Sequence, residues 1–295
     1  MKVYLKLVLT AAFWGGTFIA GRFVSQNMGP FSIAFLRFAI ASIFLTLLSW
    51  KGEGKLPVPN KSQIAHIILL GMTGVFLYNA MFFRALRVIE ASRASLIIAT
   101  CPVFIAIAST LFLKEKVTAG KAFGIILSLS GAVIVISKGN LLGMFKGNLG
   151  WGEFYAFCCV LSWVAYSLIG RIVMKDLSPL VSVCYSAIVG AVALSVPAYY
   201  EGVIQNIGDH STMDWLSILY LGIFGTVIGF VWYYEGVKQI GPTKAGLFIN
   251  LVPIFAILLA FLILREAITL SLVVGAILVI SGVYLTNRAS PASAA

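Results

Sequence analysis

The sequence predicts an all-α integral membrane protein with ten transmembrane helices, arranged as two inverted five-helix repeats. The first observation is composition: 60% of the 295 residues are hydrophobic and only 11% are charged, whereas soluble globular proteins carry about a quarter charged residues. The second is an internal repeat, in which residues 90–133 recur as residues 241–284 with no gap. The third is the number of long apolar runs, which is five in each copy.

The internal repeat keeps residues of distinctive chemistry in one register, at an offset of 151 positions (241 − 90). The matched pairs are Pro102/Pro253, Glu115/Glu266, Thr118/Thr269, Gly124/Gly275 and Gly131/Gly282. Shared apolar composition cannot align a proline, a glutamate, a threonine and two glycines. Farther upstream Trp14 matches Trp163, and Pro30 matches Pro179. The chain is therefore predicted to be two copies of one unit, residues 1–145 and residues 146–295.

Each copy supplies five apolar runs, and a bilayer core needs roughly 20 mostly apolar residues per helix. In the first copy the runs cover about 4–22, 30–50, 63–86, 92–113 and 118–138. In the second they cover about 151–171, 179–200, 213–236, 242–264 and 267–286. The first run follows Lys2 and Lys6 in the manner of a signal peptide, but its Trp14 has a counterpart in the second copy. We therefore expect it to be retained as a helix.

An odd number of helices per copy makes the two copies cross the membrane in opposite senses. With the N-terminus inside, thirteen of the 21 Lys and Arg residues fall in inner segments, seven fall in outer segments, and Arg37 lies within a span. Basic residues hold loops on the cytoplasmic side, so both termini are predicted to be cytoplasmic. The net charge of +11 is explained in the same way, and no nucleic-acid partner is expected.

Catalytic and metal-binding patterns are missing from the sequence. The four cysteines lie inside apolar runs, and no Cys/His spacing suggests a metal site. The chain contains no Walker A lysine motif, no H-E-x-x-H and no G-x-S-x-G. We expect no catalytic residue, no metal and no cofactor, so the protein is predicted not to be an enzyme.

Inverted helical repeats are the construction principle of many secondary transporters, in which rocking around a midplane site exchanges inward and outward access. Each copy can adopt the conformation of the other, so the two end states are close in energy. The sequence therefore favours a carrier that works by alternating access. Helices one, three, four, six, eight and nine are expected to surround the cavity.

Several motifs resemble those of one known family. They are Trp14-Gly15 with Phe18, Leu36-Arg37-Phe38, the prolines 102 and 253, and the (K/R)-E-x-(I/V)-T segments at 114–118 and 265–269. On these motifs the chain resembles the EamA-type carriers of the drug/metabolite transporter superfamily over nearly its whole length. The resemblance implies ten helices in inverted repeats within the cell membrane, and export of amino acids or other small metabolites. It does not name the cargo.

Pro102 and Pro253 are expected near the middle of the fourth and ninth helices. Proline removes one backbone hydrogen bond and clashes with the carbonyl four residues back, here that of Ile98 and Ile249. A freed carbonyl at membrane depth needs a partner or a polar cavity. We predict a pair of hinges beside the cavity, and the alternative is a packing kink.

A second set of residues is expected to contact the substrate because polar amides or aromatic rings recur on related helices. Asn79 and Asn250 are the asparagines inside spans, and buried amides need hydrogen-bond partners. The aromatic residues could wall a cavity for a small amphipathic molecule, or form an interfacial belt instead. The predicted substrate-binding residues are Trp14, Tyr78, Asn79, Trp163, Phe230, Tyr234 and Asn250.

Two charged residues of the predicted spans, Glu235 and Arg37, are candidates for a functional role. Glu235 is the acid placed deepest in a span, so it is the candidate for proton coupling; the alternative is a role in anchoring the helix end. Arg37 lies seven residues beyond Pro30 and could extend to the outer surface, pair with carbonyls or bind an anionic substrate group. The family's Leu-Arg-Phe pattern suggests a structural role for it.

The predicted function is that of an inner-membrane secondary transporter exporting small metabolites, foremost amino acids or their derivatives. Its partners would be a small-molecule substrate and the lipid bilayer, and the protein would act as a monomer or homodimer. A nucleotide-sugar or organophosphate exchanger of the same superfamily is the first alternative, and it would need basic residues facing the cavity. A non-transporting membrane enzyme or lipid-handling protein is the second.

Overall fold

The fold was analysed in a computed structural model that describes residues 2–54, 57–101, 103–105, 107–108, 118–137, 150–174, 176–240 and 248–288. Within these ranges the regular structure is helical, and no strand occurs. The predicted all-α class is therefore confirmed for the described part of the chain.

The helices of the first half follow the predicted apolar runs closely. They are α1, Lys2–Val24; α2, Pro30–Glu53; α3, built from Lys61–Leu70, Gly71–Leu77 and Tyr78–Val88; α4, which begins as Ala91–Ile98; and α5, Ala119–Ile136. Pro30 opens α2, where its missing N–H costs no helical hydrogen bond. Asn60 caps α3 by accepting a hydrogen bond from the Gln63 amide at 2.9 Å.

The helices of the second half repeat this order. They are α6, Trp151–Val173; α7, Pro179–Tyr200; α8, built from Thr212–Gly222, Ile223–Ile228 and Gly229–Ile240; α9, Val252–Leu264; and α10, Leu270–Arg288. Pro179 opens α7 as Pro30 opens α2. Ser211 caps α8, since its hydroxyl accepts from the Asp214 amide at 3.2 Å.

Seven of these helices are long and apolar enough to cross a bilayer: α1, α2, α3, α5, α6, α7 and α8. Shorter apolar helices lie in α4, α9 and α10. Many large apolar side chains on the described helices are exposed, among them Leu262 and Ile277 at 59% exposure. A water-soluble protein would bury such side chains. The described chain is therefore a multi-span helical membrane protein.

Both α3 and α8 contain a π-helical segment. It covers Gly71–Leu77 in α3 and Ile223–Ile228 in α8. Adding the repeat offset of 151 to residue 77 gives residue 228, so the two segments end at equivalent positions. A π-segment widens the helix and leaves backbone carbonyls without regular partners, and such segments are frequent at functional sites.

The helical path is interrupted at equivalent places in α4 and before α9. Residues 99–100 and residues 250–251 form turns, and they differ by the same 151 positions. Phe104 and Phe255 then donate backbone hydrogen bonds to Thr100 and Leu251 respectively. We expected Pro253 at a kink near the middle of its helix; it is the second residue of α9, directly after the turn, where proline is well tolerated. Pro102 lies outside the described residues.

Helices α5 and α10 pack along one glycine-lined seam. A Cβ added to Gly124 would stand 2.7 Å from the Gly282 carbonyl oxygen, and one added to Gly282 would stand 2.6 Å from that of Gly124. Gly131 and Gly275 are related in the same reciprocal way. The backbones touch because no side chain intervenes, so these glycines set the distance between the two helices.

One end of the helix bundle carries polar contacts between the two halves. The Glu266 carboxylate accepts hydrogen bonds from the Ala91 amide at 2.8 Å, the Ser92 amide at 3.1 Å and the Ser92 hydroxyl at 2.5 Å. In this way it caps the start of α4 from the other half. Nearby, Arg93 and Glu153 form an ion pair at 2.9 Å, and both side chains are buried.

Two more contacts join the halves where α1 ends and α2 begins. The Asn27 amide donates to Asp214 at 3.0 Å. The Ser32 amide and hydroxyl donate to Glu201 at 2.7 and 2.9 Å. Arg22 links this region to the start of α4, because its guanidinium donates to the Ile89 carbonyl at 3.0 Å. We refer to these contacts and the Glu266 and Arg93 contacts together as the polar end.

Candidate functional site

Four predicted substrate-binding residues form a chain of aromatic rings across the centre of the bundle. The Trp14 ring lies 5.5 Å from that of Phe230, Phe230 lies 6.3 Å from Trp163, and Trp163 lies 5.4 Å from Tyr78. The rings come from α1, α8, α6 and α3, so each half contributes two. We call Trp14, Tyr78, Trp163 and Phe230 the aromatic cluster. A solute could enter it only after the rings separate.

The π-segments hold the aromatic cluster in place. The Trp14 indole N–H donates to the Gly225 carbonyl, inside the α8 segment, at 3.0 Å. Tyr78 follows directly after the α3 segment. Gly74 and Gly225 are equivalent residues of the two segments, and each leaves room for a side chain of the other half, Tyr166 and Thr17 respectively.

Beside the cluster, Arg37 joins the two π-segments through hydrogen bonds. Its Nε donates to the Thr226 hydroxyl and its Nη1 donates to the Asn79 amide oxygen, both at 3.0 Å. The Asn79 amide nitrogen donates to the carbonyls of Gly74 and Val75, at 3.3 and 2.9 Å. The amide predicted to need partners therefore finds them in the π-segment of its own helix.

Arg37 does not extend to the surface, which was one of the expectations from the sequence. Only 7% of the residue is exposed, and Thr226, its partner on α8, is 1% exposed. The sequence analysis missed Thr226 because a single threonine in an apolar span carries no signal of its own. Its repeat counterpart is Val75 (226 − 151), so the repeat gives no hint of it either.

Asn250 lies apart from the aromatic cluster, in the turn before α9. It lines a groove of about 450 Å³ together with residues of α10. The other lining residues are Leu251, Ile280, Ser281, Tyr284 and Leu285. Its neighbour Ile249 lines a narrow slot shared with Trp14, so the groove and the cluster are adjacent but separate.

The remaining predicted site residues lie toward the end of α8. Glu235 forms an ion pair with Lys6 of α1 at 2.5 Å, and the two side chains are 40% and 37% exposed. Lys6 also lies 5.8 Å from the centre of the Trp232 ring. The side chain of Tyr234 lies outside the described part of the chain.

The side chains at the centre of the bundle are suited to binding a ligand. The cluster offers aromatic faces, and the adjoining network offers one guanidinium, one amide and one hydroxyl. Among the described residues, no group of three His, Cys, Asp or Glu side chains could hold a metal ion. This combination suits a small molecule with an apolar body and a polar group.

Comparison with known proteins gives matches along nearly the whole chain. The model of the EamA-like transporter family matches twice, over residues 1–137 and 150–288. An "Uncharacterized transporter" of Archaeoglobus fulgidus is 30% identical, with 97% of each chain covered. The "Uncharacterized transporter YyaM" of Bacillus subtilis is 29% identical over 97% of this chain and 94% of its own length.

Two further matches have lower sequence identity to this chain. A "WAT1-related protein, chloroplastic" of Arabidopsis thaliana is 25% identical over 93% of this chain and 67% of its own length. A solved crystal structure superposes with a TM-score of 0.67 at 18% identity, covering 97% of this chain and 98% of that chain, which shows a shared fold. With the family model matching both halves, the chain is a membrane transporter that belongs to the EamA-like transporter family.

Proposed function

We propose that the protein is a secondary transporter of the bacterial inner membrane that exports small metabolites, foremost amino acids or their derivatives. The observation that carries this proposal is the aromatic cluster, to which each half contributes two rings beside a buried polar network. In this proposal both termini are cytoplasmic, and the protein works as a monomer or homodimer.

The proposal includes two inverted five-helix repeats, residues 1–145 and 146–295, together forming ten transmembrane helices. The family model matches each half separately. The reciprocal contacts of Gly124 with Gly282 and of Gly131 with Gly275 are those expected of two antiparallel helices related by a two-fold axis. Such an axis, lying in the membrane plane, is the basis of alternating access in many carriers.

Alternating access requires one end of the cavity to close while the other opens. With the N-terminus inside, the polar end faces outward, and its hydrogen bonds between the halves would close the outer entrance. The groove beside Asn250 lies toward the opposite end, in the turn that precedes α9. Rocking of the halves would break the first set of contacts and admit solute from the other side.

The proposed cargo follows from the chemistry of the centre. Aromatic faces suit an apolar side chain, and the Arg37 network suits a polar group. A nucleotide-sugar or organophosphate carries at least two negative charges, for which we would expect more than one cation beside the cluster. An enzyme or lipid-handling protein would need a polar catalytic cluster at one membrane face, and this remains the alternative if transport is absent.

A direct test is efflux of labelled amino acids and related metabolites from proteoliposomes, with Trp163→Ala compared against wild type. We expect selective efflux of one class, reduced about tenfold or more by the substitution, because Trp163 contacts rings of both halves and loss of one stacking contact is worth roughly 1.4 kcal/mol. Trp151→Ala, at the exposed start of the same helix, is the matched control and should leave efflux unchanged.

The outcome of that assay decides between function classes. Absence of efflux of every amino acid from correctly inserted wild-type protein would reject the proposed cargo and favour organophosphates or lipids. Equal loss in Trp151→Ala and Trp163→Ala would show that the aromatic cluster is not the binding site.

A role of Glu235 in proton coupling is a separate proposal, supported by its position near the end of α8 within an ion pair. If it carries the coupled proton, Glu235→Gln should abolish the stimulation of efflux by a pH gradient and keep exchange of labelled for unlabelled solute. Asp209→Asn, in an exposed loop, serves as the matched control. Unchanged stimulation in Glu235→Gln would assign Glu235 to anchoring the helix end.

A further inference from the structure

Arg37 is a buried cation whose described hydrogen-bond partners are neutral. It donates to Thr226 and Asn79, and these residues bring no negative charge. A charged side chain at membrane depth is unfavourable unless an anion or a polar environment compensates it. Other buried cations are handled differently here: Arg93 is paired with Glu153. Arg37 also lies 5.2 Å from the centre of the Phe38 ring, so its charge is met by a π-face and two neutral acceptors but by no described anion.

On its Nη2 side the guanidinium has no described hydrogen-bond partner, and we call this side the free face. Arginine has five N–H groups, and the two described bonds use the one on Nε and one on Nη1. Nη2 makes no hydrogen bond to any described residue. One N–H of Nη1 and both of Nη2 are thus without a described acceptor, and arginine N–H groups can bind a carboxylate in a bidentate contact.

The free face lies next to the aromatic cluster. A Cβ added to Gly225 would stand 3.7 Å from Nη2 of Arg37, and the Gly225 carbonyl is the acceptor of the Trp14 indole N–H. Asn79, which holds Nη1, directly follows Tyr78 of the cluster. Asn79 and Thr226 therefore anchor the guanidinium by two of its nitrogens, with Nη2 packed beside Gly225 and close in sequence and contact to Trp14 and Tyr78 of the cluster.

We propose that Arg37 is the anion-binding residue of the transport site, and that the substrate is a monocarboxylate whose apolar part lies against the aromatic cluster. This inference rests on the proposed transport function. One guanidinium neutralises one carboxylate, whereas a phosphate dianion would leave a negative charge in a site with no second described cation. The charge balance therefore favours a carboxylate over a phosphate group.

Binding of three probes to purified protein tests the assignment, with tryptophan fluorescence as the readout. The probes are 3-phenylpropionate, its neutral amide 3-phenylpropionamide, and phenyl phosphate. We expect wild type to bind the carboxylate at least about tenfold more tightly than the amide, as a charge-assisted bidentate contact should, and more tightly than the phosphate. Arg37→Gln should bind carboxylate and amide equally.

Two further variants serve as controls for this binding test. Arg37→Lys keeps the positive charge but loses the planar guanidinium, so it should retain a preference of roughly threefold for the carboxylate over the amide. Arg84→Gln removes an arginine that stacks on Phe31, away from the network, and should keep the full preference. Because Arg37→Lys preserves the charge, it provides a folded comparison if Arg37→Gln does not fold.

The results separate this inference from the proposed function. No preference for the carboxylate in wild type, or an undiminished preference in Arg37→Gln, would overturn the anion site even if amino acids are exported. Tighter binding of phenyl phosphate would overturn the carboxylate assignment. A carboxylate preference that depends on Arg37, without efflux of amino acids, would support the site and reject the proposed cargo.

Discussion

Replacing Gly282 with alanine is expected to destabilise the protein severely, because α5 and α10 could no longer approach. The added Cβ would stand 2.6 Å from the Gly124 carbonyl oxygen and closer still to the Ser128 amide nitrogen. Both atoms belong to backbone, which cannot rotate away as a side chain can. Overpacking typically costs 1–3 kcal/mol, and we expect about 3 kcal/mol here, which is roughly a 6–12 °C fall in melting temperature.

Gly170→Ala is the matched control, since Gly170 is also a buried glycine within a long helix. The nearest atom to its added Cβ is 3.8 Å away, an ordinary contact. This variant should be as stable as wild type, or more stable by about 0.5–1 kcal/mol, because alanine favours a helix over glycine. Thermal unfolding in detergent, followed by size-exclusion chromatography, measures both. Equal melting temperatures would show that the seam can widen at little cost.

Replacing Glu266 with glutamine is expected to open the polar end. The carboxylate accepts three hydrogen bonds from the start of α4, and bonds to a charged group contribute about 1.5–3 kcal/mol each. Glutamine keeps the size and loses the charge and one acceptor. A net loss of about 1.5–3 kcal/mol from the closed state would raise the open population about 10- to 100-fold.

Labelling of a cysteine introduced at Ala94 would report this opening. Ala94 is fully buried in α4, so a membrane-impermeant maleimide should react slowly in the parent protein, from which the four native cysteines have been removed. The rate should rise by the same factor in Glu266→Gln. Glu90→Gln is the control: Glu90 is exposed and makes no capping hydrogen bond. Similar rates in the two variants would show that Glu266 does not hold this end closed.

The helices were predictable because bilayer thickness limits their length. Residues 179–200 were expected for the seventh helix, and α7 covers Pro179–Tyr200. Proline at the start of α2 and α7 marked both boundaries in the sequence. The ninth helix was expected over about 242–264 with a kink at Pro253, and α9 as described begins at Val252 after a turn at residues 250–251.

Part of the site was predictable from the internal repeat. Trp14 and Trp163 match in the repeat, and Tyr78 and Phe230 lie in aromatic-rich helices that the repeat relates, so a common aromatic cavity could be expected. The bond from Arg37 to Thr226 could not, because it joins residues 189 positions apart that have no counterpart pair in the repeat. Asn250 was grouped with the cluster because both lie in central helices, but the turn before α9 directs it to a separate groove.

The π-segments make the number of residues in α3 and α8 part of the transport site. A regular α-helix advances about 100° per residue, whereas the i→i+5 bonding of a π-segment accommodates an additional residue, so deleting one residue from Gly71–Leu77 would let this part of α3 close as a regular α-helix. Tyr78 and Asn79 would still face Trp163 and Arg37, but the widened turn in which Asn79 donates to the carbonyls of Gly74 and Val75 would be lost. The same holds for Ile223–Ile228 and Phe230. A relative that keeps every site residue but has one deletion in these segments would therefore keep the aromatic cluster and lose the backbone acceptors that hold Asn79 and Trp14.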